Sequence, residues 1–322
     1  MSGPLLDPRT APAFPKAAHN LLRDAQLRKN LHHATSVIQN KRARVVAELS
    51  DWEQLRLAGQ RIREHTMAHL DAYLEQFERN CTRAGGIVHW ARDAEEARQI
   101  IVRLAKEAIA AEQQASSSPA EILKIKSMTT EEIGLNGALE AAGIRPYETD
   151  LAELIIQLGH DKPSHIVVPA LHKNRQQIHE IFQREMKLPD LGDSPEDLAD
   201  AARLFLREKF LRVPTAISGA NFLIAETGGV CIVESEGNGR MCLTLPHTLI
   251  TVAGIDKVIP RFRDLEVFLQ LLPRSATGER MNPYNSIWTG VYENDGPRAF
   301  HVVLMDNART KIGRAHVSTP VT

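Results

Sequence analysis

Apolar residues recur along this chain in two ways, every third or fourth position or in short unbroken runs, and the two patterns divide it into regions. Residues 20–80 carry the first. Residues 21–49 are rich in Arg, Lys, Ala and Gln and read as one helix. A second helix follows Ser50-Asp51-Trp52-Glu53, where Ser50 and Glu53 fit a capping box. Ile62, Leu70, Tyr73, Leu74 and Phe77 then form an amphipathic stripe. From residue 85 strands and helices alternate. Residues 86–90, 122–125, 147–150 and 164–169 read as strands. Residues 93–114, 130–142, 171–186 and 194–211 read as helices. Asp93 is the N-cap of the first, Gly143 the stop of the second, and Ser194-Pro195 the opening of the last. The expected fold is α/β: an N-terminal helical region, then a mostly parallel sheet flanked by helices.

The centre, residues 218–260, is denser in strands. Residues 222–226 form a short apolar run ending at Glu226, Thr227-Gly228-Gly229 is a turn, and 230–234 is a second run. Gly237-Asn238-Gly239 is another turn signal, 241–245 reads as a third strand and 249–252 as a fourth. Beyond it, 264–272 reads as a helix, 283–288 as a loop and 300–305 as a last strand. Polar groups cluster at the turns: Glu226, Thr227, Glu234, Glu236, Asn238 and Arg240. One reading is that Gly228, Gly229, Gly237 and Gly239 only permit tight turns. The other is that Glu226, Thr227 and the exposed amides of Gly228 and Gly229 face a ligand, with Glu226 as the candidate base. Lys126, Ser127 and Thr129 follow a strand and open a helix, a combination that suits an anion or a routine cap. Ligands of open α/β sheets collect beside the carboxyl ends of strands. Glu226, Thr227, Gly228, Gly229, Asn238 and Arg240 are therefore expected to converge with Lys126 and Ser127 on one cleft, Gly239 lying between the last two of that run. His172, Lys173 and Arg175 open another helix. His65 and His69 share a helix face at i, i+4, but outside an H-E-x-x-H frame, so no metal site is expected.

Composition narrows the class. The chain has 322 residues, 43% hydrophobic and 25% charged, with net charge -1. That balance makes no case for nucleic acid, and no apolar run approaches a membrane span. Residues 1–19, with Pro4, Pro8, Pro12 and Pro15, read as a flexible arm lacking the order of a secretory signal; a cytoplasmic location is expected. Cys81, Cys231 and Cys242 have neither metal nor disulfide spacing and read as buried thiols. No nicotinamide- or ATP-binding fingerprint is present, so no cofactor is expected in this chain.

Several long stretches occur in a recognisable order: KSMTTEEIGLN (126–136), ETDLAELIIQL (148–158), PSHIVVPALHKNR (163–175), the central SGANFLIAETGGVCIVESEGNGRMCLTLP, and HVVLMDNAR near the end. From about residue 20 to 310 the chain resembles the lactate utilisation protein B family, iron–sulfur proteins whose N-terminal part is the LUD domain. The resemblance implies the α/β fold shared by glucosamine-6-phosphate deaminase, ribose-5-phosphate isomerase and CoA transferases. It also implies a non-catalytic role in electron transport during oxidation of L-lactate to pyruvate, with sister lactate utilisation proteins as partners. The family continues into a ferredoxin-like domain whose C-x-x-C-x-x-C-x-x-x-C motifs hold [4Fe–4S] clusters. That motif is absent here, so the clusters are implied for the full-length family protein only. The alternative is an enzyme of the CoA-transferase-like fold binding a small acyl or phosphorylated ligand. The last eleven residues back-translate to a string resembling a common sequencing adapter. The expected division is a 1–19 arm, a 20–84 helical region, an 85–310 LUD domain and a 311–322 non-native tail.

Overall fold

A computed structural model describes residues 13–113, 119–165 and 168–311. Four helices come first: α1 (Phe14–Arg23), α2 (Ala25–Ala47), α3 (Trp52–Ala68) and α4 (Leu70–Arg83). The expected first helix is broken at Asp24, whose Oδ1 accepts from Leu27 N (2.9 Å) and starts α2. Because α1 begins at Phe14, the arm expected to reach residue 19 is helical in its last part; residues 1–12 lie outside the described residues. No capping box forms at Ser50; α3 starts after Asp51 without a side-chain cap. Helix α4 buries Leu74, Phe77 and Cys81 as one stripe.

The chain then alternates as expected. β1 (Ile87–Ala91), α5 (Ala94–Gln113), β2 (Glu121–Lys124), α6 (Met128–Glu132), α7 (Leu135–Ala141), β3 (Arg145–Glu148), α8 (Leu151–Leu158), α9 (Arg175–Met186) and α10 (Pro195–Arg212) lead to β4 (Thr215–Ser218). Asp93 Oδ1 accepts from Glu96 N (3.0 Å) and Ser194 Oγ from Asp197 N (3.1 Å), as the sequence predicts. The single helix expected over 130–142 is two, split at Gly134, whose φ of +61° a side chain would resist. Helix α9 begins at Arg175 rather than 171, set by a capping box between Asn174 and Gln177. The strand expected over 164–169 does not form at its described positions; 166 and 167 lie outside them. The tail, 312–322, also lies outside them.

The rest is β5 (Phe222–Ile224), β6 (Gly229–Glu234), α11 (Asn238–Thr244), β7 (Thr248–Gly254), β8 (Val258–Ile259), α12 (Leu265–Ala276), β9 (Tyr284–Trp288) and β10 (Ala299–Met305). Two expectations fail here. Residues 241–245 are not a strand, because 238–244 form α11, which buries Cys242 and Leu243. Five apolar-rich residues cannot by periodicity alone distinguish the two. Residues 284–288 are a strand, not a loop; half-buried Asn285 and Ser286 hide the alternation.

Six strands form one parallel sheet in the order β1-β10-β7-β4-β2-β3. Both faces are covered, so its strands are nearly continuous apolar runs. One face packs on α5 through Ala97, Ile101, Leu104 and Ile109. The other packs on α4 and the second sheet, with Phe77, Leu223, Val230 and Phe300 in one core. Helices α8, α9 and α10, inserted between β3 and β4, have their own core around Leu154, Phe182 and Leu198. The second sheet has four strands in the order β8-β5-β6-β9, with β5 parallel to β8 and the other pairs antiparallel. Among the described residues, no helix is long and apolar enough to cross a membrane.

Candidate functional site

The connections leaving β2 and β4 run in opposite directions along the parallel sheet, toward β3 and toward β7. Such a switch point opens a crevice at the carboxyl ends of the two strands. The loops after them touch: a Cβ on Gly219 would lie 2.8 Å from Ser127 Oγ.

Charge is concentrated there and buried. Lys124 Nζ lies 2.7 Å from Glu148 Oε1, with side-chain exposures of 2% and 5%. Asn136 Nδ2 donates to the same oxygen (2.7 Å). Thr149 Oγ1 donates to Lys124 O (2.9 Å) and accepts from Asn238 Nδ2 (3.3 Å), which ties α11 to the site. Asp150 caps α8 through Ala152 N (3.0 Å) and Glu153 N (3.1 Å), and Glu236 accepts from Leu151 N (2.9 Å). Lys126 Nζ is 3.7 Å from Glu153. Burial, then the charges of Glu148 and Glu131, push the Glu153 carboxyl up to about 7. Glu131, hydrogen-bonded to Glu153, is raised as well, chiefly by burial. Among the described residues Glu148 Oε2 and Asn136 Oδ1 are buried without a hydrogen-bond partner. The network thus offers unsatisfied acceptors, a nearby cation and two neighbouring carboxyls both raised by burial, the equipment of a polar-ligand or proton-transfer site.

The expected single cleft does not form. Lys126, Ser127 and Asn238 reach the switch point; Thr129 is buried in α6. At that helix start α6 is five residues long and Ser127 makes no side-chain capping bond, so the routine-cap reading is not realised there. Glu226 lies in another cleft, against α3 and α4. Thr227 accepts from Gly229 N (3.1 Å) within its own turn, and Gly228 packs on Cys81. Gly239 packs on Glu234, while Arg240 donates to Ser286 Oγ (3.2 Å) and stacks on Tyr284. The cause is topological: β5 and β6 belong to the second sheet, so their turn does not share the edge of β2 and β4. Asp161 holds His172 (3.0 Å) and Lys173 (2.6 Å). His65 bonds Tyr73 Oη (2.9 Å). Sequence reasoning missed Lys124, Asn136, Glu148 and Glu153. The usable signal was a lysine inside the apolar Ile122-Leu123-Lys124-Ile125 run.

The cysteines do not fit an iron–sulfur cluster. Cys81, Cys231 and Cys242 are each enclosed in packed core, and burial pushes each thiol up to about 12. Thiolate is the form that binds iron.

With this geometry in hand, the class follows: residues 74–305 match the LUD domain, and the chain belongs to that family. It is 41% identical over 301 residues to lactate utilization protein B of Anoxybacillus flavithermus, covering 92% of this chain and 61% of that protein. Similarity extends to the lactate utilization protein B of Oceanobacillus iheyensis, 43% over 289 residues, 89% of this chain and 58% of that one. The Escherichia coli protein named uncharacterized electron transport protein YkgF is 41% identical over 294 residues, 90% of this chain and 60% of that one. The chain thus spans about 60% of the length of these relatives. A crystal structure of a DUF162 family protein from Deinococcus radiodurans aligns with TM-score 0.34 at 15% identity, covering 73% of this chain and 98% of that one.

Proposed function

We propose that this chain is the LUD-domain part of a lactate utilisation protein, with a non-catalytic role in electron transport during oxidation of L-lactate to pyruvate. In this reading it is a cytoplasmic platform that docks sister lactate utilisation proteins, and [4Fe–4S] clusters belong to the full-length family protein. The observation that carries it is the 41% identity to lactate utilization protein B across 92% of the chain. No electron-transfer step is assigned to the residues described above. The test is a chimera in which residues 20–310 replace the matching region of lactate utilization protein B in a strain lacking its own. Restored growth on L-lactate is expected. A folded, expressed chimera that fails to support growth rejects the reading.

A second reading, a small-ligand-binding enzyme of the CoA-transferase-like fold, draws on the unpartnered Glu148 and Asn136 oxygens at the switch point. Glu148→Gln in the same chimera separates the two. Loss of growth with normal folding and partner co-purification favours a ligand site; normal growth favours the platform.

A further inference from the structure

The loop between α8 and α9 carries a hydrogen-bonded series of three side chains that the switch-point network does not use. His172 Nδ1 lies 2.8 Å from Ser164 Oγ, and His172 Nε2 lies 3.0 Å from Asp161 Oδ2. The backbone around them is fastened. Ser164 N donates to Pro169 O (3.0 Å) and Lys173 N to Ala170 O (2.9 Å). From α2, Gln26 Nε2 donates to His172 O (3.1 Å) and Asn30 Nδ2 to Leu171 O (3.0 Å). Helix α2 thus pins the part of the loop that presents His172, and a group held this way needs little further ordering to react.

The proton positions follow from Asp161. Lys173 Nζ sits 2.6 Å from the same Asp161 oxygen. Partial burial raises the Asp161 carboxyl, but hydrogen bonds from Lys173 and His172 outweigh it and hold the group down at about 2. A carboxylate only accepts, so in the neutral imidazole Nε2 carries the proton and Nδ1 is left as an acceptor. Its partner is the Ser164 hydroxyl, for which Pro169 O, at 3.2 Å, is the more distant acceptor. Ser164 is exposed, whereas the His172 side chain is 18% exposed. A hydroxyl open to solvent, a shielded imidazole that accepts its proton and a carboxylate that fixes the imidazole form a serine–histidine–aspartate relay, here with the two ring nitrogens exchanged. We propose that Ser164 is a nucleophile, with His172 as its general base, that takes the acyl group of a small carboxylic ester. Ser164 Oγ bonds to the carbonyl carbon as its proton passes to His172 Nδ1. The bond from that carbon to the alcohol oxygen breaks, and the alcohol leaves with the proton. Water then repeats the sequence on the seryl ester, releasing the acid and restoring Ser164. Asp161 is a positioning residue that stays ionised throughout. This activity is separate from the electron-transport role proposed above.

The full chain is treated with a fluorophosphonate, which joins phosphorus to an activated serine with loss of fluoride, and the adduct is located by mass spectrometry. A single adduct at Ser164 is expected on the folded chain and none on the heat-unfolded chain. p-Nitrophenyl acetate should release a burst of about one p-nitrophenol per chain and protect Ser164 from the probe. His172→Gln should slow labelling by about 100-fold with an unchanged melting temperature. Asp161→Asn should slow it as well and move the midpoint of its pH profile to lower pH, because the imidazolium loses its anion; a purely structural carboxylate would not move that midpoint. No adduct at Ser164 on the folded parent, equal labelling of the unfolded chain, or a His172→Gln protein labelled at the parent's rate would each overturn the proposal. The first two outcomes need no substitution, so a variant that fails to fold leaves them decisive.

Discussion

The two sheets of this molecule treat charge in opposite ways. The parallel sheet, covered on both faces, carries Lys124 and Glu148 at its strand ends with almost no exposure. The four-stranded sheet keeps Glu226 and Arg240 at the surface, where each finds a backbone group, a hydroxyl or a ring. A buried charge is tolerated only when paired and hydrogen-bonded, and its loss leaves the partner stranded. A surface charge loses little hydration on folding, and its partner adds little stability. The burial of a group therefore decides how far the fold depends on its partner.

The sharpest way to break this comparison is Lys124→Met. With Glu148 left buried and unpaired, unfolding free energy from urea titration should fall by about 3–5 kcal/mol. Lys124→Met with Glu148→Leu should recover much of that loss, because both charges go. A single variant costing under about 1 kcal/mol would show that water reaches the pair.

Next in size is Gly228→Ala. A Cβ there would lie 2.1 Å from Cys81 N, and φ is +71°. Overpacking against backbone together with left-handed strain should cost about 3 kcal/mol. Gly134→Ala is the control: φ is +61° but nothing lies within 4 Å. It should cost about 1 kcal/mol, the strain alone. Equal losses would show that the second sheet does not clamp on α4.

Titration probes the parallel sheet and α8 in two opposite senses. Glu153 sits at about 7 in the native protein, above its ordinary 4.5. The folded chain holds a proton there that the unfolded chain releases, so this contribution to stability falls as pH rises from 4.5 to about 7. His301 behaves in the opposite sense. Burial, then the neighbouring His89, push it down to about 4 from 6.5, so its contribution is lost as pH falls across that window. His89 Nε2 lies 3.1 Å from His301 Nδ1, between β1 and β10. Melting temperatures followed across both windows should show a flatter high-pH limb in Glu153→Gln and a flatter acid limb in His301→Asn. A Glu153→Gln protein with the parent's slope would mean the carboxyl is already ionised when folded.

The parallel sheet was largely legible in the sequence because its strands are buried on both faces and flanked by capped helices. The runs around Ile250 and Val303 and the caps at Asp93 and Ser194 needed only local pattern. The second sheet was not. Its strand 284–288 is half polar, and 241–245 has an apolar content that suits either strand or helix. The candidate site was missed for a related reason. Lys124 meets Glu148 from 24 residues away, and Asn136 joins from a third element. No local periodicity encodes such a meeting. Lys126, Ser127 and Asn238 lie beside turns that the sequence marks, whereas Glu226 follows β5 of the second sheet, whose turn does not share the edge of β2 and β4.

The smallest expected effect tests the same comparison from its exposed side. Arg280 makes two hydrogen bonds to Glu48, at 2.6 and 2.7 Å, joining the end of α2 to the loop before β9. Its geometry matches or betters that of Lys124 with Glu148, yet both partners face solvent. The charges lose little hydration when they meet, two long side chains must be ordered, and salt screens what attraction remains. Arg280→Ala should leave the melting temperature within error of the parent. A double-mutant cycle with Glu48→Ala should give a coupling that shrinks as salt is added. The cycle on Lys124 and Glu148 should be large and nearly insensitive to salt. If the two couplings came out alike, short distance rather than burial would govern ion pairs in this fold, and the division between a charge-burying sheet and a charge-exposing one would fail.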